Sequence, residues 1–168
     1  MSETKFYKVS KEQFAADCSK YSYIMQTNYY EGIELPKRAT EGSAGYDFFM
    51  PFSITLRPGA TCTIPTGIKF NVPNGYFLQL VPRSGLGFKF QLGMANTVGI
   101  IDSDYFDNPM NEGHIMVRLV NNGSHIVHLA GGDAFCQGII LPYFLTDDDE
   151  AQGERVGGIG STDQEAAE

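Results

Sequence analysis

The rhythm of apolar and polar positions changes near residue 32. Before it, Ser10-Lys11-Glu12-Gln13 has capping-box spacing, Ser followed three residues later by Gln. That predicts a short helix through Phe14 to Lys20, and then a tyrosine-rich stretch, Tyr21 to Tyr30, packed against a surface. From Ile33 onward the apolar runs are short and turns are frequent, with Pro58-Gly59, Asn74-Gly75 and Asn122-Gly123 as punctuation. Asn-Gly between apolar runs is a strong hairpin signal. It predicts one hairpin from Ile68–Val72 and Tyr76–Val81, and another from Ile115–Val120 and His125–Leu129. A last apolar run covers Phe135 to Phe144 and is interrupted by Pro142. Regular short strands with Gly and Pro turns predict an all-β sandwich or barrel. We divide the chain into an N-terminal extension (1–31), a β body (32–146), and an acidic linker with a glycine-rich arm (147–168).

Length and composition add bounds. A chain of 168 residues with 42% hydrophobic and 19% charged residues is long enough for one domain with a real core. No apolar stretch approaches a membrane span, and the N-terminus has no signal-peptide core. Cys18, Cys62 and Cys136 are scattered and odd in number, which predicts a reduced, cytoplasmic setting. The net charge of −8 argues against nucleic acid as the main partner. It also means that a polyanionic substrate needs cations concentrated at its site, or a metal to offset charge.

The chemistry is densest in Gly99-Ile100-Ile101-Asp102-Ser103-Asp104-Tyr105. An apolar run ending in acids reads as a strand that carries its carboxylates to a rim. If Ile100 and Ile101 are buried, they hold Asp102 at a pocket edge, as a general base requires. The same pattern also describes a strand ending in a polar turn. Pro82-Arg83-Ser84-Gly85 offers a guanidinium fork, a hydroxyl and amides to a phosphate, or else is a turn with a structural arginine. Arg155 and the Gly157–Thr162 stretch offer further amides and hydroxyls, although no Lys follows the glycines as in a Walker A loop, and taken alone the stretch reads better as a disordered tail. Asp102-Ser103-Asp104 is not a calcium loop, because Gly113 stands at the twelfth position and Asp107 at the turn glycine's position. His125 and His128 are three apart in a predicted strand, so they point to opposite faces and do not share a metal.

Taken in order, these pieces resemble the five motifs of the trimeric deoxyuridine triphosphatases. Ala44-Gly45-Tyr46-Asp47 resembles the first motif, Pro82 to Gly85 the second, and Gly99 to Tyr105 the third. Gly132 to Gln137 resembles the fourth and Arg155 to Thr162 the fifth. The resemblance implies a distorted β-barrel of jelly-roll type. It also implies a homotrimer with shared active sites, the third motif on one subunit and the fifth arriving from another. The implied reaction is hydrolysis of dUTP to dUMP and pyrophosphate, with Mg²⁺ on the triphosphate. Asp102 would deprotonate the attacking water, and Tyr105 would lie under the deoxyribose. Asn96 and the backbone of Val98, Gly99 and Ile100 would read the uracil edge, and Met116 would line the nucleotide site. Arg83, Ser84, Gly85 and Gln137 would hold phosphates, and Asp47 would meet the metal through water. Arg155, Gly160, Ser161 and Thr162 would close over the γ-phosphate end, with Ile159 covering the base.

Three departures from the family pattern stand out. Residues Phe106 to Asn111 are inserted after Tyr105. Ile159 replaces the usual aromatic residue, with the spacing from Arg155 to Gly157 one residue short. Asp163 stands where Gly is common. The nearest alternative is a dCTP deaminase of the same fold, but Arg118 stands where that family carries its catalytic Glu. Another alternative is an interaction protein on this fold, with the extension and the 106–111 insertion as docking surfaces.

Overall fold

The computed structural model describes residues 3–24, 28–153, 155, 157 and 158. The elements are β1 (Lys5–Lys8), α1 (Lys11–Ser19), a 3₁₀ turn (Asn28–Gly32), β2 (Tyr46–Phe49), β3 (Ile54–Leu56), β4 (Thr61–Pro65), β5 (Ile68–Asn71) and β6 (Tyr76–Pro82). They continue with α2 (Ser84–Phe90), β7 (Leu92–Met94), β8 (Gly99–Ile101), a 3₁₀ turn (Ser103–Tyr105), β9 (Met116–Asn121), β10 (Val127–Leu129) and β11 (Ala134–Pro142). All pairings are antiparallel, in four small sheets ordered β2-β11-β6-β8, β4-β9-β7, β1-β5 and β3-β10. Alternate residues of β6 (Leu78, Leu80) and β9 (Val117, Leu119) turn inward, where they meet Phe48, Phe70 and Phe135 in one core. The all-β, jelly-roll-type architecture is as expected. No helix of the described residues is long and apolar enough to cross a membrane.

Neither Asn-Gly turn makes a hairpin. β5 pairs with β1, while β6 pairs with β11 and β8. β5 ends at Asn71, and Pro73 just beyond it has no N–H to continue a ladder, so Asn74-Gly75 carries the chain from one sheet to the next. Likewise β9 pairs with β4 and β7, and β10 with β3. At that corner the Asn121 amide is fully buried and donates to the carbonyls of Leu56 and His125 (both 2.9 Å). Its oxygen accepts from Gly123 N at 3.0 Å. A side chain, rather than a partner strand, satisfies the backbone there.

Helix α2 is absent from the sequence reading. It carries two glycines in seven residues and no buried side chain, so it leaves no apolar periodicity to detect.

The N-terminal segment is woven into the barrel. Phe6, Val9, Phe14 and Cys18 belong to the same core as the β body. Ser10 caps α1, its Oγ accepting from Gln13 N at 3.1 Å. The return bond comes not from Gln13 but from Glu112, which accepts from Ser10 N at 2.8 Å and from its hydroxyl at 2.5 Å. Gln13 turns instead to Asp17, donating to Oδ2 at 2.8 Å.

Asp17 and the fully buried His114 clamp the helix to the barrel. Gly67 N donates to His114 Nε2 at 2.8 Å, so the ring proton sits on Nδ1 and is donated to Asp17 Oδ2 at 2.6 Å. Gly67 has φ +74 and lies against the Ile33 and Phe14 side chains, leaving no room for a Cβ. Burial pushes the Asp17 carboxyl up, but bonds from His114, Lys20 and Gln13 outweigh it, holding the group well below the ordinary aspartate range.

Replacing Asp17 by Ala leaves a buried imidazole N–H unpaired, and a loss of ~3 kcal/mol in unfolding free energy is expected in urea titration. A carboxyl depressed in the folded state stabilises fully above its unfolded pKa, and that contribution is lost as the pH falls. The thermal midpoint of the native protein should therefore fall more steeply below about pH 4 than that of Asp17→Asn.

Candidate active site

Strand β8 ends at Ile101, directly before Asp102. Gly99 packs on Leu80 of β6, where a Cβ would stand 3.2 Å from the Leu80 Cβ, so glycine lets the two strands pair closely. Ile100 then points outward and is 50% exposed, which corrects the expectation that Ile100 and Ile101 are both buried. Adjacent residues of a strand face opposite sides, so only one of the two can lie under the sheet. Asp102 is held instead by the pairing of Ile101 with Leu78 and by its carbonyl, which accepts from Tyr105 N at 3.2 Å.

These residues open onto a cavity of about 210 Å³. Its walls include Asn96, Gly99, Ile100, Asp102, Tyr105, Met116 and Arg155, all anticipated from sequence. Leu80, Met94, Ile101 and Gly158 also line it and were not singled out. The alternation along β6 is the sequence signal by which Leu80 could have been found. Val98 is not among the lining residues, and its N–H is committed to the Asn96 carbonyl at 2.6 Å. That contact belongs to the β7–β8 turn, where Thr97 takes φ 64, a costly conformation for a β-branched residue.

Arg155 reaches the cavity from the C-terminal arm. Its Nη2 donates to Asp102 Oδ2 at 2.6 Å and its Nε to Asp104 Oδ1 at 2.7 Å. Its guanidinium carbon lies 5.9 Å from the Tyr105 ring centroid, and Gly158 packs against the same side chain, where a Cβ would collide. The resemblance implies an arm arriving from another subunit, whereas here the arm meets the chain's own Asp102. The topology allows this. β11 ends at Pro142 opposite Tyr76, and Tyr143 N donates to Gly75 O at 2.9 Å, so the chain leaves the barrel beside the Asp102 end of β6. The expectations for Ile159, Gly160, Ser161 and Thr162 lie outside the described residues. Burial raises the pKa of Tyr105, outweighing the hydrogen bond from Asn111 that lowers it.

A second cluster sits at the other end of β6. Arg83 Nε is 3.2 Å from Asp47 Oδ1, and its Nη1 donates to Ala134 O at 3.4 Å. Gln137 stands opposite Asp47 in the β11–β2 register, and its side-chain amide fills the space that a Cβ on Gly45 would take. Ser84 and Gly85 open α2 beside them and are exposed. Pieces of the first, second and fourth motifs thus converge, away from the cavity that holds Asp102. Among the described residues no three His, Cys, Asp or Glu side chains gather as a metal cage. His128 Nδ1 meets Thr55 Oγ1 at 2.8 Å and His125 Nδ1 meets Ser124 Oγ at 3.1 Å.

A family model described as dUTPase matches residues 31–162. The chain belongs to the dUTPase family. The deoxyuridine 5′-triphosphate nucleotidohydrolase of Lactococcus lactis subsp. lactis is 41% identical over 133 residues, covering 78% of this chain and 89% of that protein. Its counterpart in Anaeromyxobacter sp. is 39% identical over 135 residues, covering 77% and 88%. The crystal structure of dUTPase from Streptococcus mutans superimposes with a TM-score of 0.66 at 34% identity, covering 84% of this chain and 98% of that one. A mutant dUTPase from phage phi11 of S. aureus shares the fold at 19% identity (TM-score 0.63, covering 90% and 97%), and its structure is described as revealing the coordination of a structural Mg(II) ion.

Thr97→Gly should relieve the turn and raise the unfolding free energy by up to ~1 kcal/mol, read from denaturant titration.

Proposed function

We propose that this member of the dUTPase family hydrolyses dUTP to dUMP and pyrophosphate, with Asp102 as the general base. The observation that carries the reading is one cavity that joins an accessible carboxylate, a buried tyrosine ring and the Asn96–Gly99 turn. The base enters between Asn96 and the β8 backbone, and the sugar lies on Tyr105. The α-phosphate then comes beside Asp102. Asp102 accepts a proton from water, whose oxygen bonds to the α-phosphorus. The bond from that phosphorus to the bridging oxygen breaks, and pyrophosphate leaves with the electron pair.

The donor set fits a metal carried mainly by substrate. Asp47 is a single carboxylate, 15% exposed at its side chain and already beside Arg83. Alone it builds no cage, but it suits a hydrated Mg²⁺ held by phosphate oxygens, which keeps several waters. Asp47 would hold the ion through water, and the ion would offset triphosphate charge on a chain of net charge −8. Arg155 would exchange Asp102 and Asp104 for phosphate oxygens, freeing the base.

One chain does not complete this site. Asp102 follows Ile101, which pairs with Leu78, whereas Arg83 follows the far end of β6. At 3.3 Å per residue, the two are separated by about 20 Å along the strand. The phosphate cluster would therefore serve the Asp102 cavity of a neighbouring copy, which accords with a homotrimer.

A panel of deoxynucleoside and ribonucleoside triphosphates with Mg²⁺, scored for pyrophosphate, tests the reading. dUTP should be the preferred substrate, and ammonia release from dCTP would favour a deaminase instead. Asp102→Asn should lose at least ~10²-fold in turnover. Co-refolding inactive Asp102→Asn chains with inactive Arg83→Ala chains should restore partial activity, because some mixed sites then hold both intact groups. No recovery would mean that each chain works alone.

A further inference from the structure

The inserted loop after Tyr105 is built around two asparagines. Asn108 is buried, and its Oδ1 accepts from Met110 N at 3.0 Å and Asn111 N at 3.2 Å. Its Nδ2 donates to Tyr105 O at 3.0 Å and Asn111 Oδ1 at 2.7 Å. Asn111 Oδ1 also accepts from Gly113 N at 3.1 Å. One group of this circuit points out of the loop: Asn111 Nδ2, which donates to the Tyr105 hydroxyl oxygen at 2.8 Å. The Tyr105 hydroxyl in turn donates to His114 O at 2.9 Å. His114 is the residue that Asp17 and Gly67 lock in place, so the carbonyl that receives the phenol proton is itself fixed.

A phenol held only by packing can tilt about its side-chain torsions. One that both accepts from Asn111 and donates to His114 is pinned at its far end, and the ring face turned to the cavity is fixed with it. We propose that Asn111 is a positioning residue for sugar selection, fixing the Tyr105 ring through its Nδ2–H bond, with the His114 carbonyl as the second anchor. The proposal rests on reading this cavity as the dUTP site. Under that reading the ring face is the floor that leaves no space for a 2′-hydroxyl. Discrimination of dUTP from UTP then depends on how rigidly the floor is held, since small displacements of a positioning group cost rate steeply.

Asn111→Asp isolates the bond. The carboxylate keeps the shape and the oxygen that serves Asn108 and Gly113, but it can only accept; the single phenol proton then serves either the carboxylate or the His114 carbonyl, so one of the two anchors is lost. The ratio of kcat/KM for dUTP over UTP should fall about tenfold, as expected for one lost hydrogen bond. The ratio of Kd values for dUDP and UDP, measured by calorimetry, should fall with it. In a Tyr105→Phe background, Asn111→Asp should change neither ratio further, because its target hydroxyl is gone. A purely structural role for Asn111 would instead act equally in both backgrounds and would overturn the proposal. Should Asn111→Asp fail to fold, Tyr105→Phe alone keeps the asparagine circuit and must lower the ratio by a similar factor; an unchanged ratio also overturns it. If the native protein released no pyrophosphate from dUTP, the functional reading itself would fall. Native selectivity that persists in Asn111→Asp removes only Asn111.

Discussion

The buried imidazole of His114 is the constraint on which the architecture turns. It accepts from the Gly67 backbone and donates to a carboxylate on α1, and its own carbonyl receives the Tyr105 hydroxyl. Three parts of the chain far apart in sequence therefore meet at one ring. Burying a carboxylate and an imidazole is costly unless every lone pair and proton finds a partner. Here Gln13 and Lys20 complete Asp17, and Gly67 completes His114, so the cluster is satisfied. The fit is demanding. It needs a glycine at 67 for space and a helix whose N-cap is tied back to Glu112.

The electrostatics of the Arg83 and Arg155 clusters share one logic. The chain is acidic overall, yet it must recognise a polyanion under the proposed function. In this structure the two arginines concerned each sit on carboxylates: Arg83 on Asp47, and Arg155 on Asp102 and Asp104. These pairs are partly exposed, and ion pairs of that kind contribute at most about 1 kcal/mol. Exchanging a carboxylate for a phosphate group at such an arginine therefore costs little. The carboxylates keep the cations in place without binding them strongly.

Local signals carried part of the site. The apolar run into Asp102, the Arg83-Ser84-Gly85 turn and the glycine-rich stretch after Arg155 are contiguous, so they can be read along the chain. Tyr105, Asn96 and Met116 joined them through the ordered resemblance of five motifs rather than through any periodicity. Hidden from that reading were groups whose role comes from distant contacts. Asn111 and Asp17 look like ordinary polar surface residues until the fold places one on a phenol and the other on a buried ring. Helix α2 was invisible for a different reason: with no face buried, it has no pattern.

The sequence by itself determined an all-β body, the capped helix near its start, and the family to which its motifs belong, because capping, alternation and motif order are properties of neighbouring residues. It did not determine which strands pair. Both Asn-Gly turns had hairpin chemistry, yet Pro73 and the buried Asn121 sent each chain segment to another sheet. Only the tertiary structure decided that Ile100 faces the cavity, that Arg155 rests on Asp102, and that Arg83 and Asp47 stand a strand's length from Asp102. Strand pairing and side-chain meeting are settled by which burial satisfies the most groups at once, and that is a property of the whole chain.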